Sequence, residues 1–163
     1  MTGLERLTHF LNRLLVFVGG VFLVGMIVLT CANIASRAVW EPIRGTFELM
    51  GYFGAVVTAL ALAYTQLNRG HIAVNVLIHR FSKKTQRRLN AFNNAVCTVF
   101  FTMVAWQIAL KAHGFMLTGE VSETLRVIFY PFTYMVAAGC AVLALVFMLD
   151  LVKAVRACNG EAK

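Results

Sequence analysis

The sequence predicts an all-α membrane protein with four transmembrane helices plus amphipathic interfacial helices, both termini on the cytoplasmic side. Three observations predict it. First, of 163 residues 60% are hydrophobic and 13% charged, whereas soluble domains average about 45–50% and about 25%. Second, four apolar stretches each reach the roughly 20 residues needed to cross a bilayer as a helix. Third, the 15 Lys and Arg residues fall unevenly on the two sides of those stretches, which orients the chain. The same composition excludes disorder, since there is too much apolar mass and too little charge. It also argues against nucleic acid as a partner, because a binder needs its basic residues on a broad polar surface.

Each element follows in order, within a single membrane domain covering residues 1–163. Residues 1–13 read as an amphipathic interfacial helix. Leu4, Leu7, Leu11 and Leu14 recur at helical spacing, while Glu5, Arg6, His9, Asn12 and Arg13 lie elsewhere around the helix. The first span, 14–35, is free of charge. It exceeds the usual apolar run of a secretory leader, about 7–15 residues, and no clear A-x-A site follows, so an uncleaved helix is expected. The second span, 47–67, carries Glu48 at its start, with Thr46 expected as the cap. The third is 91–110. The fourth is 128–151, with Pro131 near its beginning and Asp150 at its end.

Between the second and third spans, the inner loop 68–90 is amphipathic and basic. Lys83, Lys84, Arg87 and Arg88 close it. Contact with anionic membrane lipids is preferred over a dedicated partner site, because polybasic flanks are routine cytoplasmic anchors. On this topology eleven basic residues lie inside and only Arg37, Arg44, Lys111 and Arg126 outside. The outer bases are matched by Glu41, Glu48, Glu120 and Glu123, so the whole net charge of +8 sits on the inner face. Trp40, Trp106, Tyr130 and Tyr134 mark the outer interface.

Chemistry-bearing residues are sparse. His9, His71, His79 and His113 avoid the middles of the spans, which argues against a haem held between helices. Cys31, Cys97, Cys140 and Cys158 form no C-x-x-C pair and read as small apolar residues. No phosphate-binding loop, metal-ligand spacing or nucleophile–base pair is present. No enzyme activity, cofactor or metal is therefore expected. Glu48 is the acid set within an apolar run. An intramembrane carboxylate suggests ion coupling, but its place at a helix N-terminus favours a structural or subunit-contact role, with Arg37 and Arg44 as candidate partners. Gly51, Ala55, Ala59 and Ala63 recur every fourth residue. Such a stripe lets another helix, from this chain or a neighbour, approach closely.

The segment GTFELMGYFGAVVTALALAYTQLNRGHIAVNVLIHRF, Gly45 to Phe81, resembles the signature region of the DctQ family. This family is the small permease subunit of tripartite ATP-independent periplasmic (TRAP) transporters. The matching residues are Glu48, the small-residue helix, and then Arg69, Gly70, His71, Ile72 and Val74. SETLRVIFYPF, Ser122 to Phe132, is similar to the family's entry into its last helix. Asn75 departs from the pattern, standing where many members carry Asp.

The resemblance implies a scaffold subunit in the bacterial inner membrane, part of a sodium-driven importer of organic acids. A large permease subunit would hold the substrate and sodium sites, and a periplasmic substrate-binding protein would deliver the solute. Gly51, Ala55, Ala59, Ala63 and Glu48 are then candidates for subunit packing. Arg37, Glu41, Arg44, Glu120 and Glu123 are candidates for binding-protein contact. Two alternatives stand beside this reading. A small proton-coupled multidrug exporter would place its Glu deep in the first span. The anchor subunit of a redox complex would place histidines within the bundle.

Overall fold

A computed structural model describes residues 3–39, 41–68 and 83–159. They form four helices: α1 (Gly3–Val39), α2 (Thr46–Leu67), α3 (Lys83–Thr118) and α4 (Tyr130–Asn159). All four are long and apolar enough to cross a membrane. The connection 69–82, which carries His71, Asn75 and His79, lies outside the described residues, as do Trp40 and the chain ends.

The first helix runs unbroken for 37 residues, about 55 Å at 1.5 Å per residue. The amphipathic N-terminal stretch is therefore its first part and not a separate element. The reason lies in phase: the leucine spacing of 7, 11 and 14 runs on into the span, and neither Gly nor Pro falls between residues 4 and 18. Leu7 and Leu14 face outward, whereas Thr8 and Asn12 are buried. Gly19 continues that inner face one turn beyond Leu15 and rests on Leu60 of α2. The third helix likewise starts inside the basic segment and runs for 36 residues, with Arg88 exposed on it. For Lys83, Lys84 and Arg87 only the helical backbone is described.

The helices stand in the spatial order α1, α2, α4, α3. α4 lies between α2 and α3, α1 lies against α2, and α1 touches α4 less extensively. The core forms where α2 and α4 meet. Ala63, Val142, Leu143, Val146 and Phe147 make one buried cluster, with Leu15, Cys97 and Phe101 packed on it. Phe101 of α3 stacks on Phe147 of α4, ring centroids 5.7 Å apart and planes 9° apart. Toward the start of α2 and α4, Phe22, Tyr52, Phe53 and Phe132 join α1, α2 and α4 through ring contacts.

The tightest approach is at Gly139. A Cβ there would sit 2.6 Å from the Ala59 carbonyl oxygen and 3.2 Å from the Ala59 Cβ. Only glycine permits this, so the α2 and α4 backbones are in direct contact. The small-residue stripe is thereby divided. Ala59 and Ala63 are buried against α4, while Gly51 and Ala55 are exposed. Helical geometry explains the division. Four residues turn about 400°, so a strict four-residue repeat drifts about 40° per step and about 120° from Gly51 to Ala63.

Substituting Gly139→Ala or Ala59→Leu overpacks this contact, for which a cost of about 1–3 kcal/mol is typical. Both variants should show a lower melting temperature in detergent, followed by fluorescence-detected size exclusion after heating. Gly51→Ala, where nothing lies within 4 Å of the added carbon, and the exposed Ala55→Leu should melt like the native chain.

Candidate functional site

A cluster of polar groups surrounds Glu48, at the end of the bundle that holds the α1–α2 and α3–α4 connections. The α1–α2 joint is built from local chemistry. Pro42 and Gly45 interrupt the helices, with Gly45 in the left-handed region at φ 76°. Asn33 Oδ1 accepts from the Ile43 N–H at 2.9 Å, and Ser36 Oγ donates to the Glu41 carbonyl at 2.5 Å. Thr46 does not cap α2. Gly45 occupies the cap position, and Thr46 is the first helical residue, its hydroxyl donating to the Ile43 carbonyl at 2.7 Å. The left-handed glycine turns the chain so sharply that the threonine hydroxyl points back into the joint.

The α3–α4 loop, residues 119–129, folds as a short hairpin. Gly119, φ 65°, ends α3 in a left-handed cap, its N–H donating to the Phe115 carbonyl at 3.1 Å. Val121 and Ile128 then form an isolated antiparallel bridge. Within it the Ser122 N–H donates to the Val127 carbonyl at 2.9 Å, and the Arg126 N–H to the Ser122 carbonyl at 3.1 Å. Arg126 takes φ 52°, a conformation uncommon for a residue with a side chain.

Glu48 clasps this hairpin to α2. Its Oε2 accepts from the Ser122 hydroxyl at 2.8 Å, and its Oε1 accepts from the Thr124 N–H at 3.1 Å. Both carboxylate oxygens are engaged, and Ser122 is buried. Leu125 completes the seat by lying over Gly45, leaving no room for a Cβ there. Beneath it, Tyr52 stacks on Phe132 and meets Phe129 edge-on, at 5.5 and 5.4 Å between centroids. Two oxygens directed at a hydroxyl and an amide can fix a loop.

The structure places the sequence-derived candidates as follows. Arg37, Glu41, Arg44, Glu120 and Glu123 are all exposed at the Glu48 end of the bundle. Among the described residues, Glu48 is joined to the hairpin and not to Arg37 or Arg44. At the opposite end Asp150 accepts from the Gln66 side chain at 3.1 Å, a polar link between α2 and α4. Cys31, Cys97 and Cys140 are unpaired, and no metal-holding cluster occurs among the described residues. Four residues that make these contacts carry no signal in the sequence: Ser122, Thr124, Leu125 and Gly139. Ser122 and Thr124 look like ordinary turn residues, and their partner lies 74 and 76 positions away.

Taken together, the fold and this end-on clasp define a multi-pass membrane protein whose intramembrane acid is a structural fastener. The chain belongs to the DctQ family: the family description "Tripartite ATP-independent periplasmic transporters, DctQ component" matches residues 26–157. This family is the small permease component of TRAP transporters, which work with a large permease and a periplasmic binding protein. No curated protein and no solved structure matches the chain.

The clasp predicts a specific response to mutation. Glu48→Gln keeps one acceptor but turns an NH2 toward a donor, so the hairpin should loosen. Amide hydrogen exchange at Thr124 and Val127 should accelerate in Glu48→Gln, and more so in Glu48→Ala, while the α2–α4 core stays protected. Unchanged exchange at both amides would show that Glu48 does not hold the loop.

Proposed function

We propose that this chain is the scaffold subunit of a sodium-driven importer of organic acids in the bacterial inner membrane. In this reading it packs against the large permease subunit and presents part of the docking surface for the binding protein. The observation that carries it is the use of Glu48: the acid within the second span is spent on the outer hairpin. The sodium coupling and the organic-acid substrate rest on family membership, since substrate and ion sites would belong to the large subunit.

The docking role is supported by arrangement. Glu48 and Leu125 seat the 119–129 hairpin beside the α1–α2 joint. Arg37, Glu41, Arg44, Glu120 and Glu123 therefore stand on one rigid outer end, all exposed and of mixed sign. Charged rims of this kind steer encounters and set orientation, and their effect is screened by salt. At the opposite end the basic start of α3, Lys83, Lys84, Arg87 and Arg88, anchors the chain to anionic lipid. Both termini are then cytoplasmic. Gly51 and Ala55, the half of the stripe that the chain's own helices leave open, are the part available to another subunit.

Reconstitution tests the reading. Vesicles holding the large subunit, this chain and the binding protein should accumulate an organic acid when a sodium gradient is imposed, and omitting this chain should abolish uptake. Reversing the sign of all five outer charges should reduce uptake at low salt and flatten its salt dependence. Uptake that is independent of this chain would refute the scaffold role. Uptake indifferent to the five reversals would refute the docking surface alone.

A further inference from the structure

A polar layer crosses the bundle at the end opposite Glu48. Leu15 of α1 packs on the buried cluster made by Ala63 of α2 and Val142, Leu143, Val146 and Phe147 of α4. Side chains three residues apart lie one turn along the same side of a helix. One turn beyond this apolar layer, α1 carries Asn12, α2 carries Gln66 and α4 carries Asp150. The helix register agrees. Gly19 rests on Leu60 and Gly54 meets Met26, so α1 and α2 run antiparallel with Asn12 level with the last turn of α2. The Gln66 side chain donates to Asp150 at 3.1 Å, which brings α4 to the same level.

Within this layer Asn12 is 3% exposed, and its Oδ1 is buried with no donor among the described residues. Thr8, one turn further along α1, is buried as well, so bulk solvent does not reach the carboxamide from that side. A buried carbonyl oxygen left without a donor bears the full cost of its lost hydration, and such groups are rare unless something supplies a proton. The groups at this level are rich in acceptors: Asn12 Oδ1, the Gln66 carbonyl and the Asp150 carboxylate. No direct hydrogen bond crosses from Gln66 or Asp150 to Asn12 Oδ1. A molecule that carries two donors joins two such acceptors, which a third carboxamide or carboxylate could not do. Water meets that need, and buried waters characteristically bind to otherwise unsatisfied polar groups of this kind.

We propose that Asn12, Gln66 and Asp150 form an internal water-binding site that ties α1 to the α2–α4 pair. One ordered water donates to Asn12 Oδ1 and to an oxygen of the Gln66–Asp150 pair. The site completes a polar layer under the apolar core and sets the depth at which α1 lies along α2. Sliding α1 by one turn would put Leu15 or Thr8 opposite Gln66 and Asp150 in place of Asn12.

Two measurements on the full chain in lipid nanodiscs test the site. The first is nuclear magnetic resonance of protein isotope-labelled at asparagine, with the Asn12 side-chain signals assigned by their loss in Asn12→Gln. A cross-peak between those signals and a long-lived water is expected, and its absence would overturn the site. The second is a melting cycle of Asn12→Leu, Gln66→Leu and the double variant. Each single substitution should lower the melting temperature, and the double variant should lose less than the two losses added, because the same water is already gone. A dry, orphaned carboxamide gives the opposite sign: Asn12→Leu would then melt at or above the native temperature, since it removes an unsatisfied group. That result, or strictly additive losses, would overturn the proposal. So would a native melting temperature that shifts when sodium is replaced by choline at constant ionic strength, which would put a cation in the site. The water contact is read on the native chain, so it decides the matter even where Asn12→Leu does not fold.

Discussion

The contact between Gly139 and the backbone of Ala59 is the constraint on which the rest of the bundle depends. In lipid there is little hydrophobic gain in bringing helices together, because acyl chains are as apolar as leucine. Cohesion comes from close packing, and packing is closest where no side chain intervenes. With α2 and α4 joined there, Ala63, Leu143, Val146 and Phe147 interlock just inward of it. α1 then lies on α2 through Gly19, and α3 lies on α4 through Phe101. The two flanking helices need no extensive contact with each other.

Polar links bracket this apolar seam at both ends of α2. Glu48 fastens the 119–129 hairpin at one end, and Gln66 meets Asp150 at the other. The placement is economical in physical terms. Charged and amide groups sit where the membrane gives way to water, so their desolvation is modest, and the middle of the bundle is left to shape. A carboxylate placed there serves to fasten a loop to a helix end.

Much of the architecture was legible in the residues. Length, apolar runs and the Lys/Arg bias lead to four spans, and the Glu48-to-Val74 pattern leads to the family that the match to residues 26–157 shows. Two local readings did not survive. Thr46 turns its hydroxyl back to Ile43 because Gly45 takes the cap position in a left-handed turn. The small-residue stripe is not one contact surface, because its repeat drifts around the helix and only Ala59 and Ala63 reach α4.

What the sequence alone determined is what depends on local composition and period: membrane residence and span number. These follow because the bilayer acts on each segment independently, through its length, hydropathy and flanking charge. The tertiary structure alone decided which helices touch, which half of the stripe is used, and what Glu48 is for. Those outcomes join residues far apart in the chain, such as Glu48 with Ser122 and Ala59 with Gly139. No local pattern records such pairs, since each partner taken singly is an ordinary turn serine or a tolerated glycine.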